Sequence, residues 1–338
     1  MFRVKITTGH NRTVANIARQ LPDNKLVSLD GRYKFLLDDE TREADFWVVR
    51  NKYIRQPTTC KVAPENTILM ISEPQTVIRF PKKYCAQFGI VHSCQHIEHE
   101  HFISAPAALP WFIDIDGNFA VSYGSLNTEL LPQKTKLISL IASDKAFTHG
   151  HRERIKFAIK LKEYFGDKID IFGRGIREID DKWMAIAPYK YHVAIENSSA
   201  QDYWTEKLSD CFLAGTYPLY FGCQNVTDYF PSQSLTQIDI HNAETAIVQI
   251  EQIMNSQTYE HNLDALIQAK RLCLDKYNIF SMITQICDTL NPNAKKKNVT
   301  LHPAQTMLNF RNFINFNFTR HYHQLCALRD IKHLKSLV

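Results

Sequence analysis

One stretch near the middle of the chain brings together side chains that suit the binding of an anion. Residues 196–222 read ENSSAQDYWTEKLSDCFLAGTYPLYFG, with Asn197, Tyr203, Glu206 and Lys207 around a predicted strand-to-helix turn. The first turn of a helix has free backbone N–H groups and a partial positive charge, so it attracts anions. A lysine there adds a full positive charge, and a neighbouring carboxylate can accept hydrogen bonds from sugar hydroxyls. This combination suits a nucleotide diphosphate.

The residues around this stretch predict a strand, a loop, a helix and a second strand. Tyr191–Ile195 is apolar enough for a buried parallel strand. From Trp204 to Phe212 apolar residues recur at helical spacing, and Gly215 is a predicted C-terminal cap. Tyr217–Phe221 then predicts the next strand.

The same pattern also fits an ordinary surface helix. Tyr203, Glu206, Lys207 and Asp210 fall on the face opposite the apolar stripe, where charges exposed to water are usual. The pattern by itself therefore leaves both interpretations open.

Short apolar runs alternate with amphipathic patterns along most of the chain, which predicts an α/β protein with parallel sheets covered by helices. The predicted strands are Phe2–Ile6, Phe46–Val49, Thr67–Ile71, Leu137–Ala142, Ile169–Phe172, His192–Ile195 and Tyr217–Phe221. A polar stretch at 126–136, which contains Pro132, indicates a domain boundary. We predict domains at 1–130 and 137–300 and a tail at 301–338.

Composition and charge narrow the class of protein. Apolar residues make up 44% of the 338 residues and charged residues 22%, which is typical of globular proteins and excludes a disordered one. No window approaches 18 uncharged apolar residues, and the N-terminus is too polar for a signal peptide, so we expect a cytoplasmic protein. The net charge of +5 is uneven, because residues 295–338 carry eight Lys or Arg and one acidic residue.

The basic tail has two interpretations. Aromatic and aliphatic side chains alternate there with arginines, at Phe310, Arg311, Phe313, Ile314, Phe318 and Arg320. Such a helix could lie on the inner face of a membrane, drawn to anionic lipid, or pack back onto the first domain. Binding to nucleic acid is not expected, because the rest of the chain is slightly acidic.

Two further motifs resemble metal sites by residue type alone. The segment HIEHEH contains His96, His99 and His101, but its spacing matches no known zinc motif, so we expect a solvated loop. Asp114 and Asp116 form an acidic pair before Gly117, which indicates a turn. We predict no metal ligand in either segment.

Residues 189–222 closely resemble the signature of the α-1,3-fucosyltransferases, glycosyltransferase family ten, including its bacterial members. The matching residues are Glu196, Asn197, Ser198, Tyr203, Thr205, Glu206, Lys207, Leu208, Pro218 and Gly222. Residues 143–161, 169–174 and 230–239 extend the resemblance to roughly 140–245, although the family usually has Asn where Asp144 stands. The N-terminal half matches at one short motif.

The resemblance implies two Rossmann-like domains facing across a cleft, the GT-B fold. It implies an inverting enzyme that moves L-fucose from GDP-β-L-fucose to a glycan hydroxyl, with O3 of N-acetylglucosamine the expected acceptor atom. Lipopolysaccharide, capsule and glycans of the Lewis-antigen type are the acceptors that this implies. The C-terminal domain would hold the donor and the N-terminal domain the acceptor, with no metal or other cofactor in the donor site.

The resemblance also implies roles for residues of the second domain. Lys207 and Arg154 would neutralise the departing GDP, since charge builds up on it as the C–O bond breaks. Arg152 is the alternative to Arg154, but residues spaced from Arg154 give the better amphipathic helix. Asn197 and Tyr203 would bind the diphosphate or nucleotide, and Glu206 the ribose hydroxyls.

Single displacement with inversion requires a general base for the proton of the acceptor. Ser72-Glu73-Pro74 ends the predicted strand Thr67–Ile71, and the resemblance places the family's base at a similar strand end. We therefore predict Glu73 as the base, whereas a glutamate of local structural importance is the alternative.

Two other functions stay open at this point. One is a transferase of the same fold that uses another GDP-sugar. The other is a non-catalytic module that binds glycans or a membrane surface. Because Glu73, Arg154, Asn197, Tyr203, Glu206 and Lys207 are all present, the sequence favours the enzyme.

Overall fold

The structure is a computed structural model that describes residues 1–8, 17–307 and 310–338, and the side chains of residues 310–318 lie outside that description. The chain forms two compact units, and each contains three segments. The first unit consists of Met1–Pro110, Val121–Leu126 and Leu274–Phe313, and the second of Trp111–Ala120, Asn127–Cys273 and Ile314–Val338. The division at 1–130, 137–300 and 301–338 stays a prediction of domain boundaries, while the two units show that the chain passes between them more than once.

The strands and helices have the following bounds. The strands are β1 (Phe2–Thr7), β2 (Tyr33–Leu37), β3 (Phe46–Arg50), β4 (Thr58–Val62), β5 (Thr67–Ile71), β6 (Ile90–Ser93), β7 (Phe102–Ser104), β8 (Lys136–Ile141), β9 (Ile169–Phe172), β10 (Tyr189–Ala200), β11 (Tyr217–Cys223), β12 (Thr236–Gln237) and β13 (Lys297–Leu301). The helices are α1 (Lys82–Cys85), α2 (Tyr123–Leu126), α3 (His149–Phe165), α4 (Lys182–Ile186), α5 (Glu206–Leu213), α6 (Ala243–Met254), α7 (Thr258–His261), α8 (Leu263–Arg271), α9 (Ile279–Asp288) and α10 (Phe310–Leu337).

A parallel sheet forms the centre of the first unit. Its strands follow the order β2-β1-β3-β5-β6-β7, and β4 pairs with β13 in a separate antiparallel ribbon. Every residue of β3 and β5 is buried, as expected for central parallel strands covered on both faces. Helix α9 packs Ile279, Ile283 and Ile286 into the same core as Val4 and Phe35, so this late segment belongs to the first unit.

The second unit has a parallel sheet of its own, with the strand order β12-β11-β10-β8-β9. Strand β8 comes first in the chain, β9 pairs with it on one side, and β10 pairs with it on the other. The chain therefore leaves β8 towards β9 on one side of the sheet and leaves β10 towards β11 on the other side. The carboxyl edge between two such connections is where open α/β sheets bind ligands. Both units are α/β with parallel sheets, so the predicted fold class of two Rossmann-like domains is confirmed. Their arrangement across a cleft stays a prediction.

Two threonines begin the helices that border this carboxyl edge. The hydroxyl of Thr148 accepts from the backbone N–H of His151 at the start of α3, and the hydroxyl of Thr205 accepts from that of Lys207 at the start of α5. Gly215 has φ of +61° just beyond α5, which confirms the predicted C-terminal cap. The caps fix where the first turn of each helix lies.

All seven predicted strands are present, and β10 is longer than predicted. It extends from Tyr189 to Ala200, through a polar stretch that was predicted to be a loop. Its pairing with β11 shifts register between Ile195 and Ala200, which shows a bulge. The bulge lets extended backbone continue past Glu196, where the hydrophobic run stops.

From Ile314 onwards the C-terminal helix α10 belongs to the second unit, whereas one of the two interpretations of the tail placed it on the first domain. Gln324 donates to the carbonyl of Asp144 and accepts from the N–H of Ala146, and His333 pairs with Glu163 of α3. The side chains of Phe310, Arg311, Phe313, Ile314 and Phe318 lie outside the described residues. Within the described part of the chain, no helix has both the length and the apolar character needed to cross a bilayer.

Candidate functional site

Arg154 reaches the carboxyl edge of the second sheet from the second turn of α3. Its side chain is 5% exposed, and it donates to Asn197 Oδ1 at 3.0 Å and to Ser143 Oγ at 3.4 Å. Ser143 follows β8, and Asn197 lies in the polar end of β10, so this arginine joins the two diverging connections. Among the described residues its Nε has no hydrogen-bond partner. A buried guanidinium with a spare donor is suited to an oxygen anion.

The start of α3 lies close against β10. A Cβ on Gly150 would fall 2.1 Å from the backbone oxygen of Asn197, so only glycine allows this approach. Arg152, the alternative in the sequence, lies near His323 of α10. Burial and the positive charge of Arg152 both lower the pKa of His323. The structure thus brings Arg154, not Arg152, into contact with Asn197.

Lys207 lies in the first turn of α5 between two carboxylates. Its Nζ is 3.2 Å from Glu196 Oε2 and 3.4 Å from Glu206 Oε1. Burial opposes the lysine charge, but Glu196 and Glu206 outweigh it and raise the pKa of Lys207. Lys207 is therefore a fixed positive charge at a helix N-terminus.

Glu196 is buried and accepts hydrogen bonds from both the backbone N–H and the hydroxyl of Thr205, each at 2.8 Å. Burial raises the pKa of Glu196, while Lys207 acts against that rise. For Glu206, burial would raise the pKa, but Lys207 and Lys182 lower it to about 2. Glu206 is thus ionised at neutral pH and can accept hydrogen bonds from hydroxyl groups.

A second lysine extends the cluster towards α4. Lys182 Nζ lies 3.1 Å from Asp210 Oδ2 and 3.5 Å from Glu206 Oε1, and the N–H of Phe112 donates to Asp210 Oδ1 at 3.0 Å. Burial raises the pKa of Asp210 to about 6, although Lys182 opposes that rise. Cations and carboxylates therefore alternate from Asp210 through Lys182 and Glu206 to Lys207 and Glu196, and each holds its neighbour in position.

The structure thus brings five predicted site residues together in the second unit. Asn197 contacts Arg154, Glu206 contacts Lys207, and Tyr203 is buried and near enough for its hydroxyl to act electrostatically on Arg154. The interpretation of α5 as a surface helix is wrong, because the side chain of Glu206 is 11% exposed and that of Asp210 is fully buried.

Glu73, the sixth predicted residue, lies in the first unit directly after β5. Its backbone carbonyl accepts from Gln95 Nε2 at 2.7 Å, and the neighbouring Ser72 N–H donates to Asn51 Oδ1 at 2.9 Å. Arg50, buried at the end of β3, lies near enough to interact electrostatically with Glu73. Glu73 thus occupies the predicted strand end, and its role as a base stays a prediction.

Sequence reasoning missed Glu196, Lys182 and Asp210 as members of the cluster. Glu196 stood in the family signature without a role, and Asp210 was assigned to the solvent face. One signal was available, because Glu206 and Asp210 are four residues apart on one helix and two like charges there require a cation. Nothing in the sequence showed that Lys182, on another helix, supplies it.

The two segments examined as metal motifs have local roles. His99 Nε2 lies 3.0 Å from the carbonyl of Phe88, and its Nδ1 accepts from the N–H of His101. Asp114 has φ of +51° and accepts from the N–H of Phe119, so it closes the turn that was predicted before Gly117.

Comparison with known proteins gives one family match. The model for "Glycosyltransferase family 10 (fucosyltransferase) C-term" matches residues 131–303, which is just over half of the chain. That range includes all five site residues of the second unit and excludes Glu73.

Curated relatives match a shorter part of the chain. The human and chimpanzee proteins named 4-galactosyl-N-acetylglucosaminide 3-alpha-L-fucosyltransferase 9 are 30% identical over 139 residues, which is 38% of this chain and 37% of theirs. An alpha-(1,4)-fucosyltransferase of Arabidopsis thaliana is 43% identical over 51 residues, or 15% of this chain and 13% of that protein. The matched segment therefore spans well under half of these relatives.

Among solved structures, a crystal structure of an alpha1,3-fucosyltransferase with GDP aligns with a TM-score of 0.49 and 16% identity. The alignment covers 82% of this chain and 90% of that chain.

Proposed function

Since this chain belongs to glycosyltransferase family 10, the fucosyltransferases, we propose that it transfers L-fucose from GDP-β-L-fucose to a hydroxyl of a glycan. The observation that carries the proposal is that Arg154 and Lys207 both lie at the carboxyl edge of the second sheet, near enough for their charges to interact. Two fixed cations beside a helix N-terminus support binding of a diphosphate.

The chemistry follows from where the charges lie. As the bond between fucose C1 and the phosphate oxygen breaks, negative charge builds up on GDP, and Arg154 and Lys207 would stabilise it. Both cations are held by neighbours before substrate binds, so little reorganisation is required during the reaction. Asn197 and Tyr203 would bind the diphosphate, and the ionised Glu206 would accept hydrogen bonds from the ribose hydroxyls. We propose no metal in this step.

Glu73 is the proposed general base. As the acceptor oxygen forms its bond to C1, its proton would pass to the Glu73 carboxylate, and the configuration at C1 would invert. The names of the curated relatives support O3 of N-acetylglucosamine as the acceptor atom, and the Arabidopsis relative makes O4 the alternative. Cytoplasmic location and membrane contact by the tail stay predictions.

The proposal predicts that Glu73→Gln loses transfer but keeps GDP binding. Glutamine preserves the shape of the side chain and cannot take a proton, so we expect kcat to fall by about 100-fold or more. Consumption of GDP-fucose with a mixed glycan array measures transfer, and isothermal titration measures GDP binding. Glu65→Gln, at an exposed carboxylate of the same unit, is the matched control.

The same assay includes other GDP-sugars in place of GDP-fucose. No consumption of GDP-fucose above its hydrolysis rate would overturn the proposed donor, and turnover of another GDP-sugar would replace it. Near-normal transfer by Glu73→Gln would overturn the base assignment alone.

A further inference from the structure

Arg50 is a buried cation at the carboxyl end of the first sheet, where it is the last residue of β3. It is 4% exposed, and its Nη2 donates to Ser72 Oγ at 3.3 Å. Val48 and Met70, on the same face of the sheet, belong to the apolar core of the unit. A guanidinium remains charged at neutral pH, and a charge beside an apolar core is costly unless it interacts with other groups.

The segment that carries Glu73 is held from both neighbouring strands. Ser72 and Glu73 follow β5 directly. On the side of β3, Asn51 Oδ1 accepts from the N–H of Ser72 at 2.9 Å, and Arg50 donates to the Ser72 hydroxyl. On the side of β6, Gln95 Nε2 donates to the carbonyl of Glu73 at 2.7 Å. The backbone of Glu73 is therefore fixed, as expected for a group whose side chain has to be aimed at a substrate.

Asn51 is itself held in place. It has φ of +48°, a conformation that asparagine adopts more readily than most residues. The hydroxyl of Tyr84 donates to its carbonyl at 3.0 Å. The end of β3 therefore offers Ser72 a fixed acceptor, which keeps the residue before Glu73 in one position.

The groups that act on the charge of Arg50 come from three other segments. Burial lowers the pKa of Arg50, whereas Tyr53, Glu73 and Asp38 act against that lowering. Asp38, after β2, already accepts two hydrogen bonds from the residue that follows β1. His92, two strands away on the same face, is uncharged at neutral pH, because burial lowers its pKa to about 4. Among the described residues, Arg50 Nε has no hydrogen-bond partner, so part of the guanidinium is not used for structure.

We propose that Arg50 is a positioning residue for Glu73, which it orients through Ser72 and keeps ionised through its charge. A cation near a carboxylate favours the charged form. The inference rests on the proposed function, in which Glu73 is the general base. As the acceptor oxygen bonds to C1, the electron pair of the bond between C1 and the phosphate oxygen leaves with GDP, and the acceptor proton passes to Glu73. Arg50 keeps its own proton throughout.

Variants of Arg50 that differ in charge test the inference. Arg50→Met removes the charge and the bond to Ser72, so we expect kcat at pH 7 to fall about ten-fold or more, as for a misplaced catalytic group. The acid limb of the pH profile of kcat/KM should also move to higher pH by about one unit. Arg50→Lys, which keeps the charge, should leave the limb where the wild type has it. A purely structural role would lower kcat at every pH without moving the limb.

Two further measurements make the test independent of one variant. Arg50→Gln keeps a donor for Ser72 and should shift the acid limb as Arg50→Met does, so the result stands if the methionine variant does not fold. In the Glu73→Gln background, Arg50→Met should lower the residual rate by less than about two-fold, because no carboxylate is left for the arginine to act on. Arg32→Met, at a half-exposed arginine of the same unit, is the control.

The outcomes separate this inference from the proposed function. If the wild type does not turn over GDP-fucose, or if Glu73→Gln keeps near-normal transfer, the proposed function or its base fails, and the inference fails with it. If the wild type is active and Glu73→Gln is not, an unmoved acid limb in Arg50→Met and Arg50→Gln overturns only the inference. Equal losses on removing Arg50 with and without Glu73 would also overturn it, because Arg50 would then act independently of the base.

Discussion

Lys182 lies outside the family signature at 189–222 but belongs to the charged cluster, so its contribution to the site can be tested separately. It lies between Asp210 and Glu206, at 3.1 and 3.5 Å, and its Nζ is 5.2 Å from the ring of Phe112. The Asp210 carboxylate is fully buried and has no solvent to stabilise its charge. Lys182 therefore holds Glu206 in place, and under the proposed function it would act on the donor through Glu206 as a positioning residue.

We predict that Lys182→Met raises KM for GDP-fucose by about ten-fold and changes kcat by less than about three-fold. Without this lysine, Glu206 keeps Lys207 as its one ion-pair partner among the described residues and faces the negative charge of Asp210 at close range. Steady-state kinetics with varied GDP-fucose gives the two constants. Lys182→Arg should restore most of the affinity, because a guanidinium can bridge the same two carboxylates.

Lys190→Met, which breaks an exposed pair with Glu260, is the control for general effects of losing a lysine. A fall in kcat without a change in KM would contradict the positioning role. An arginine variant as weak as the methionine variant would point to a structural role in folding instead.

At the scale of residues, the sequence predicted the part of the site that is contiguous. Asn197, Tyr203, Glu206 and Lys207 lie within eleven positions around one helix start, where the chemistry of the helix terminus indicates a function. Lys182 could not be found in this way, because its partners are on another helix and only tertiary packing brings them together. The burial of α5 was also invisible, since a charged face predicts exposure.

At the scale of elements, helix α10 supports the loop that leads into α3. Gln324 makes two hydrogen bonds to this loop, with the carbonyl of Asp144 and the N–H of Ala146 at 3.0 and 2.9 Å. Arg320 lies over the ring of Phe147, 4.6 Å from its centroid. The loop ends at Thr148, which begins the helix that carries Arg154, so α10 contributes to the position of that arginine.

We predict that Gln324→Ala weakens GDP binding about three- to ten-fold, because two hydrogen bonds of about 1 kcal/mol each hold the loop. Isothermal titration with GDP measures this effect. His333→Ala, which removes a contact between the same helix and Glu163 far from the loop, should leave the affinity unchanged. Equal weakening by both variants would mean that α10 stabilises the unit as a whole and does not act on the loop.

The hydrophobic pattern of the sequence predicts strands that are buried on both faces, and it does not predict strands that are half exposed or held by a bulge. Buried runs such as β3 and β5 were predicted with nearly correct bounds, since their side chains are apolar on both faces. Strand β4 was missed because it reads TTCKV, with alternate residues exposed, and is paired by β13 from far along the chain. The extension of β10 was missed because a bulge, not a hydrophobic run, maintains its pairing.

At the scale of the whole molecule, the sequence could not show that the chain returns to the first unit. Helix α9 follows the helices α6, α7 and α8 of the second unit and has an ordinary amphipathic pattern, so nothing local tells which core it joins. Its apolar face completes the core around β1 and β2. Because the returning segment supplies part of that core, we expect the first unit to depend on it for stability.

Buried histidines occur in both units and make the folded protein sensitive to acid. Burial lowers the pKa of His92 in the first unit to about 4, and it lowers the pKa values of His151 and His192 in the second unit to about 3. In the unfolded chain each imidazole binds a proton as the pH falls through about 6.5, whereas in the folded chain it does not until about pH 4 or 3. The unfolded state therefore gains protons first, and the free energy of unfolding decreases as the pH falls below 6.5.

Asp210 works in the opposite direction and offsets only part of this loss. The pKa of Asp210 is about 6 in the folded state, so as the pH falls the folded chain protonates Asp210 before the unfolded chain does. The contribution of Asp210 to the free energy of unfolding therefore rises as the pH falls from 6 towards 4. Glu206, with a pKa of about 2, loses its contribution only below about pH 4.5. We therefore predict that the free energy of unfolding is lower at pH 5 than at pH 7 by about 4 kcal/mol, at up to about 1.4 kcal/mol per pH unit for each histidine. Urea denaturation at the two pH values measures it, with His192→Gln reducing the difference and the exposed His261→Gln leaving it unchanged. Equal or greater stability at pH 5 would mean that these histidines are protonated in the folded protein.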